Sequence, residues 1–392
     1  RLAGHSQGSS HMWLFDCGEG TYRQLVRSSL SHSQVERVFV SHMHGDHIWG
    51  LASMLVSALN GDAASPTISV YGPRGLHAYL SAVLELSEVG LRRAQKVVVY
   101  ELHDREVQPK TRWEKAASSS STKTTVERVV LLEEDDGLGK NSGTWLAYED
   151  EWWSVRAGRV AHRVPCYGYV VAEKPALRKV DAAKATALGV APGRAYRQFQ
   201  LGQDVTKNDG TVVRAADVTF DPSPGRKVAV LGDTSAPSPE MSRLAQRCDL
   251  LVHEATASDA DRHKALARGH STPTMAGRFA NHIAARHLAL THFSPRYVQH
   301  TSYSSDQNDK ASVNLLVSQA KRAFAGGNVI AASDFMAINV PRASSAAASS
   351  EEEVSSSSSS SSFADDAASQ EEEEEVSSSS ERRRQKGDSA QA

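Results

Sequence analysis

Residues 39–51 read FVSHMHGDHIWGL, and within six positions they carry His42, His44, Asp46 and His47. Imidazoles and a carboxylate at that density are costly to bury without partners and out of place in an ordinary solvent loop. The apolar run before them, Val35 to Val40, reads as a buried strand, and IWGLASMLVSAL after them reads as a helix. The four polar residues therefore occupy a tight loop at a strand end. The His-x-His-x-Asp-His spacing is a metal-ligand pattern, because neutral imidazoles with a carboxylate suit Zn²⁺, and Mn²⁺ or Fe less well. It lets His42 and His44 serve one centre and Asp46 and His47 a second. One loop cannot close two coordination spheres. Three residues just past apolar stretches complete the set: His162 in VAHRVPCYGY, Asp233 in LGDTS and His292 in LTHFSPRY.

Elsewhere strands alternate with helical stretches, which predicts an α/β layered fold. Met12 to Phe15 reads as a strand, and GTYRQLVRSSL has helical spacing at Tyr22, Leu25 and Val26. TISVYGPRGLHAYLSAVLEL gives a strand, a turn and a helix. Later, RKVAVLGDT, CDLLVHEAT, HLALTHFSP and NVIAASDFMAINV read as four buried strands. Their polar residues lie at or past the strand ends, where layered α/β proteins place chemistry. Two regions interrupt the alternation. Residues 116–143 read as a surface insertion with one short strand. Residues 172–216 are rich in basic residues and Pro/Gly turns, with a helix predicted over 181–188. From Pro341 the chain is runs of Ser, Ala and Glu, with too little apolar surface to offset the entropy of ordering it, so 341–392 is expected to be a disordered tail.

Charge divides along the same boundary. The tail holds 5 basic and 12 acidic residues, which leaves 39 against 34 in residues 1–340, a formal +5 in a chain that is −2 as a whole. A mildly basic body accommodates a polyanionic substrate. Cys17, Cys166 and Cys248 are widely spaced among apolar or glycine neighbours and read as buried free thiols of an intracellular, reducing compartment. No apolar run approaches the length of a membrane span, about 18 residues. The chain opens on Arg1 without a secretory pattern and reaches its first motif almost at once, so it is expected to lack its natural start.

The stretches LFDCGEGTYRQL, SHMHGDHIWGL, AHRVPCYGY, VLGDTS, LLVHEAT, GHSTP, LTHFSPRY and AASDFM together resemble the metallo-β-lactamase superfamily and, within it, the short-form ribonuclease Z family. The likeness runs from residue 13 to residue 340. It implies a four-layer αββα sandwich over residues 1–340 with a protruding arm, in which the family's usual first strand is missing. It implies two zinc ions per chain, one held by His42, His44 and His162, the other by Asp46, His47 and His292, with Asp233 bridging. Asp16 matches the superfamily's aspartate that orients the histidine loop, and His270 in GHSTP the family's catalytic histidine. Residues 172–216 resemble the arm that grips tRNA, with Arg178, Lys179, Lys184, Arg194 and Arg197 as basic candidates for phosphate contacts. Arg194 stands where the family commonly has proline, and Ile48-Trp49 where it commonly has two phenylalanines.

The implied reaction is hydrolysis of a phosphodiester at the 3′ end of precursor tRNA, leaving a 3′-hydroxyl on the tRNA and a 5′-phosphate on the trailer. Asp46 takes the attacking water's proton while also binding metal, and His270 protonates the leaving oxygen. Family members typically pair as homodimers. Two other readings use the same fold: another binuclear hydrolase, such as a phosphodiesterase or thioesterase, or a non-catalytic RNA-binding relative. The arm and the GHSTP histidine argue against the first, and the complete ligand set against the second.

Overall fold

Side-chain alternation along the strands sets the layers. The computed structural model describes residues 12–60, 67–89, 95–104, 126–134, 142–222, 224–298 and 312–342. Among these, β1 (Met12–Phe15), β2 (Val35–Phe39), β3 (Thr67–Pro73), β4 (Lys96–His103) and β5 (Val126–Leu132) form a sheet in that order, parallel at every step. Successive residues of a strand face opposite ways. Val38, Val70, Val97 and Val99 pack with α1 (Thr21–Arg27), the short α2 (Gly45–Ile48), α3 (Leu51–Leu59) and α4 (Leu76–Leu86). Phe39, Tyr71 and Leu102 face the other way, onto Trp145, Trp153, Val155, Tyr167 and Tyr169 of a second sheet.

Register turns that inner face into an aromatic ladder. Phe15, Phe39, Tyr71 and Tyr100 are aligned across four adjacent strands, with ring centroids 5.1, 4.9 and 4.6 Å apart and planes within 15°. Each such pair adds about 0.5–1.5 kcal/mol beyond simple burial. The ladder fixes the ends of β1 and β2, from which the histidine loop springs.

The second sheet begins as a meander of β6 (Thr144–Glu149), β7 (Trp153–Ala161) and β8 (Cys166–Glu173), antiparallel throughout. The chain then leaves for an arm before it returns. Within the arm β9 (Lys179–Val180) pairs with β12 (Thr219–Phe220), and β10 (Val205–Thr206) with β11 (Val212–Val213). Between them lie α5 (Ala182–Ala187), α6 (Arg194–Gln200) and α7 (Ala215–Val218). The arm has a core of its own around Ala185, Val190, Phe199, Val213 and Val218. It departs after Glu173 and rejoins at Lys227, so it is longer than the 172–216 read from the sequence, and α6 is a helix that reading did not include. Its root is tied by Glu173, whose carboxylate accepts from Arg226 (Nε 2.8 Å) and Arg342 (Nε 3.1 Å).

After the arm come β13 (Lys227–Val230), β14 (Ala236–Pro237), β15 (Leu250–Glu254), β16 (His287–Thr291) and β17 (Asn328–Ala331). The sheet order is β14-β7-β8-β13-β15-β16-β17, with β6 also on β7. Its outer face is covered by α8 (Pro239–Ala245), α10 (Pro273–His282) and α11 (Val313–Ala323), while α9 (Arg262–Ala267) lies in the loop before α10. α8 lies so close to β7 that a Cβ on Gly158 would stand 2.9 Å from Met241 Sδ and 3.1 Å from its Cα. Helices, sheet, sheet, helices is the four-layer αββα arrangement expected.

The segment 116–143 contributes more than a surface insertion. Its β5 pairs with β4 at seven positions and extends the first sheet. The expected missing first strand, most of the rest of that insertion and nearly all of the tail lie outside the described residues.

Candidate metal centre

The centre is built from the C-terminal strand ends inward. Asp16, just after β1, has a left-handed backbone (φ 59°) that turns its carboxylate onto the loop following β2. Oδ1 accepts from the Ser41 amide (2.6 Å), and Oδ2 from Ser41 Oγ (2.7 Å) and His47 Nδ1 (2.7 Å). One carboxylate thus sets both the path of the loop and the tautomer of His47. The loop is held close: a Cβ on Gly18 would stand 2.0 Å from the Asp46 carbonyl oxygen, so only glycine fits there.

The histidines share one hydrogen-bond logic. His42 Nδ1 meets Ser41 Oγ (3.0 Å), His162 Nδ1 the Gly269 carbonyl (2.7 Å) and His292 Nδ1 Thr256 Oγ1 (2.9 Å). With His47 on Asp16, these four rings have Nδ1 engaged and present Nε2 inward, the arrangement that orients metal-binding imidazoles. His44 presents Nδ1 instead, 2.9 Å from His42 Nε2 and 3.2 Å from His162 Nε2. The ligand atoms of His42, His44 and His162 lie within 4.8 Å of one another, as do those of Asp46, His47 and His292. Asp233, directly after Gly232 and three residues beyond the end of β13, faces both groups. Its Oδ2 is 3.8 Å from His42 Nε2, and its Oδ1 is 3.5 Å from His47 Nε2 and 3.3 Å from His292 Nε2. All seven sequence-predicted ligands converge.

This donor set fits zinc. His47 Nε2 is buried without a hydrogen-bond partner, which is costly unless something accepts its lone pair. Charge agrees. Burial and the neighbouring His47 push the His42 imidazole down to about 3, which makes it a neutral donor. Burial also disfavours charge on His47, but the Asp16 and Asp233 carboxylates outweigh it and raise the ring to about 10. Burial opposes ionisation of Asp233 too, yet the close imidazole of His47 and those of His292 and His42 hold it well below the usual carboxylate range. The carboxylates demand positive charge here, which a cation supplies as well as a proton does. Asp46 and His292 are the open side, their side chains 68% and 31% exposed.

His270 joins the cluster through a residue to which the sequence reading gave no role. Glu254, buried at the end of β15, accepts from His270 Nδ1 (3.1 Å) and the Thr234 amide (2.7 Å) with Oε1. Its Oε2 accepts from Thr256 Oγ1, which in turn receives His292 Nδ1. The hydrogen bond to Glu254 raises the pKa of His270 and favours its protonated form. The available signal was a carboxylate ending an apolar strand, as Asp16 does and as Asp233 nearly does.

Comparisons with known proteins agree with this geometry. A family model described as "Beta-lactamase superfamily domain" matches residues 152–293, and one described as "Anti-Pycsar protein Apyc1" matches residues 6–80. The human zinc phosphodiesterase ELAC protein 1 is 37% identical over 338 residues, covering 84% of this chain and 90% of that protein. The ribonuclease Z of Rippkaea orientalis is 38% identical over 334 residues, covering 85% and 89%. This chain belongs to the ribonuclease Z family. Among solved structures, the short form of human tRNase Z (ELAC1) superposes with a TM-score of 0.54 at 28% identity, over 86% of this chain and 95% of that one.

The five basic candidates of the arm are not part of the metal cluster. Arg178 is half-buried and bonds Thr219 and Asp221 within the arm (3.4 and 3.3 Å). Lys184 lies 3.9 Å from Asp181. Lys179, Arg194 and Arg197 are exposed. Within this family member Asp16 is open to a direct check. Asp16→Asn keeps a residue that tolerates the left-handed backbone but removes the charge that His47 leans on. Zinc affinity should fall about 10–100-fold without unfolding, read by competition with a chelator. Unchanged affinity would deny Asp16 its orienting part.

Proposed function

We propose that this chain is a zinc-dependent endoribonuclease that removes the 3′ trailer of precursor tRNA, with two zinc ions per chain. The observation that supports this most is the convergence of His42, His44, Asp46, His47, His162, Asp233 and His292 with His270 poised beside them. When bound, zinc supplies Lewis acidity, which eases deprotonation of water and offsets charge on the phosphoryl oxygens. The chain's own residues do the rest. His42, His44 and His162 would hold one ion and Asp46, His47 and His292 the other, with Asp233 facing both groups. Asp46, on the open side, accepts the proton of the attacking water. His270, whose protonated form Glu254 favours, donates from Nε2 to the leaving 3′-oxygen. The arm binds the folded body of the tRNA through its phosphates, a mode that reads shape rather than base edges.

The reading extends to a homodimer in a reducing intracellular compartment. The three cysteines are free and buried, as a reducing setting maintains them. No described helix is long and apolar enough to cross a membrane. Sedimentation at micromolar concentration tests the dimer.

The decisive experiment is cleavage-site mapping on an unprocessed tRNA transcript, with metal analysis of the same preparation. A cut at the trailer junction and about two zinc per chain support the proposal. Cleavage of nitrocefin but not of bis(p-nitrophenyl) phosphate would replace it with a different hydrolase.

Glu254→Gln tests the proton donor. The amide keeps the shape but loses the charge that raises His270, so the imidazole's pKa falls. The alkaline limb of the rate profile should then move to lower pH, and the rate at neutral pH should drop about 10–100-fold. A profile that stays in place would take the proton donation away from His270.

A further inference from the structure

One large apolar side chain at the rim of the metal centre is not used by the mechanism above. Trp49 follows α2 directly and is 67% exposed, while its neighbour Ile48 is only 3% exposed. The short helix therefore sends one apolar residue into the core and the next out into solvent. The indole is not loose. The Trp49 amide donates to the Gly45 carbonyl (2.8 Å), and a Cβ on Gly45 would stand 2.1 Å from Trp49 Cε2 and 2.3 Å from Cζ2. The ring is thus packed over Gly45, which stands in the chain between His44 and Asp46, two of the residues assigned to the metal. The absence of a side chain at 45 is what lets it lie there.

An exposed indole packed on the loop that carries four of the residues that would surround the scissile phosphate offers a π face to whatever lies next to that phosphate. In a substrate cut at the foot of its unpaired 3′ extension, that neighbour is a single-stranded nucleobase. Every base has a π face, so stacking tolerates any trailer sequence. We propose that Trp49 is a stacking platform for the unpaired nucleobase adjoining the scissile phosphate, and so positions the substrate chain over the metal centre; this rests on the nuclease reading above. A single base stacked on an aromatic side chain is worth about tenfold in binding.

The test compares wild type, Trp49→Ala and Trp49→Phe on a 3′-extended tRNA carrying 2-aminopurine on either side of the cut. Trp49→Ala should raise KM for the tRNA about tenfold, lose the 2-aminopurine quenching seen with wild type at one of the two positions, and keep its zinc. Trp49→Phe, with a smaller ring, should recover most of both. An abasic nucleotide at the quenched position should weaken wild type to the level of Trp49→Ala and weaken that variant little further. Unchanged KM and quenching in a zinc-loaded Trp49→Ala protein would overturn the proposal. So would a change in sedimentation mass, which would mean the indole covers a second copy instead. Failure of wild type itself to cut the tRNA would instead remove the nuclease reading, and this proposal with it.

Discussion

Asp233→Ala is expected to strip the protein of most of its zinc and to slow phosphodiester cleavage by on the order of a thousandfold, equivalent to about 4 kcal/mol of transition-state stabilisation. Its two oxygens face the two ligand groups, one 3.8 Å from His42 Nε2 and the other 3.3 Å from His292 Nε2. Removing it also leaves three imidazoles crowded around a buried hole without the negative charge that offsets them. The variant should therefore be less stable than the parent stripped by a chelator, where Asp233 can still engage protonated His47. Metal content after dialysis, the rate on bis(p-nitrophenyl) phosphate and the melting temperature read the three effects. Normal zinc content with a normal rate would remove the bridging role. Prolonged EDTA treatment of the parent should mimic the loss of rate, and added Zn²⁺ should restore the parent but not the variant.

Replacing residues 178–221 with a short Gly-Ser linker is the second large effect expected. It should weaken cleavage of precursor tRNA by about a hundredfold or more, mostly through KM, because backbone contacts dominate nucleic-acid affinity. The deletion is clean in principle. The arm's core residues, Ala185 to Val218, pack among themselves and with Val180, Ala195, Tyr196 and Val205, all inside the excised segment. The tie of Glu173 to Arg226 and Arg342 stays behind to close the stump. Hydrolysis of bis(p-nitrophenyl) phosphate should be largely retained. A parallel loss on both substrates would mean that the arm supports the centre rather than gripping RNA. Rising salt should diminish the advantage of the intact protein on tRNA and leave the small diester nearly unaffected.

The metal ligands were legible in the sequence because four of them fall within six residues and the other three each follow an apolar strand. Glu254 was not, since a carboxylate ending a strand gains its meaning only from His270, Thr234 and Thr256, which the fold brings together. The strand in 126–132 could be read, but its partner could not, because pairing is set by tertiary register. The same holds for the Phe15–Phe39–Tyr71–Tyr100 ladder, whose members are single aromatics in four separate segments. Apart from the helix read over 181–188, the arm read as basic and turn-rich because its apolar residues follow no sustained helical or strand period. They meet across about forty residues of chain, beyond the reach of local patterning.

The short strand β13 has a consequence for where a substrate would be cut. One end takes the chain back from the arm at Lys227, and Asp233 stands just past the other, with four residues locked against β8 in between. At about 3.3 Å per residue, the paired strand alone sets roughly 10 Å between the arm's foot and the turn that carries Asp233. On the proposed function this works as a calliper: one jaw seats on the tRNA body, the other falls at a set distance, and the phosphate to be broken is chosen by length.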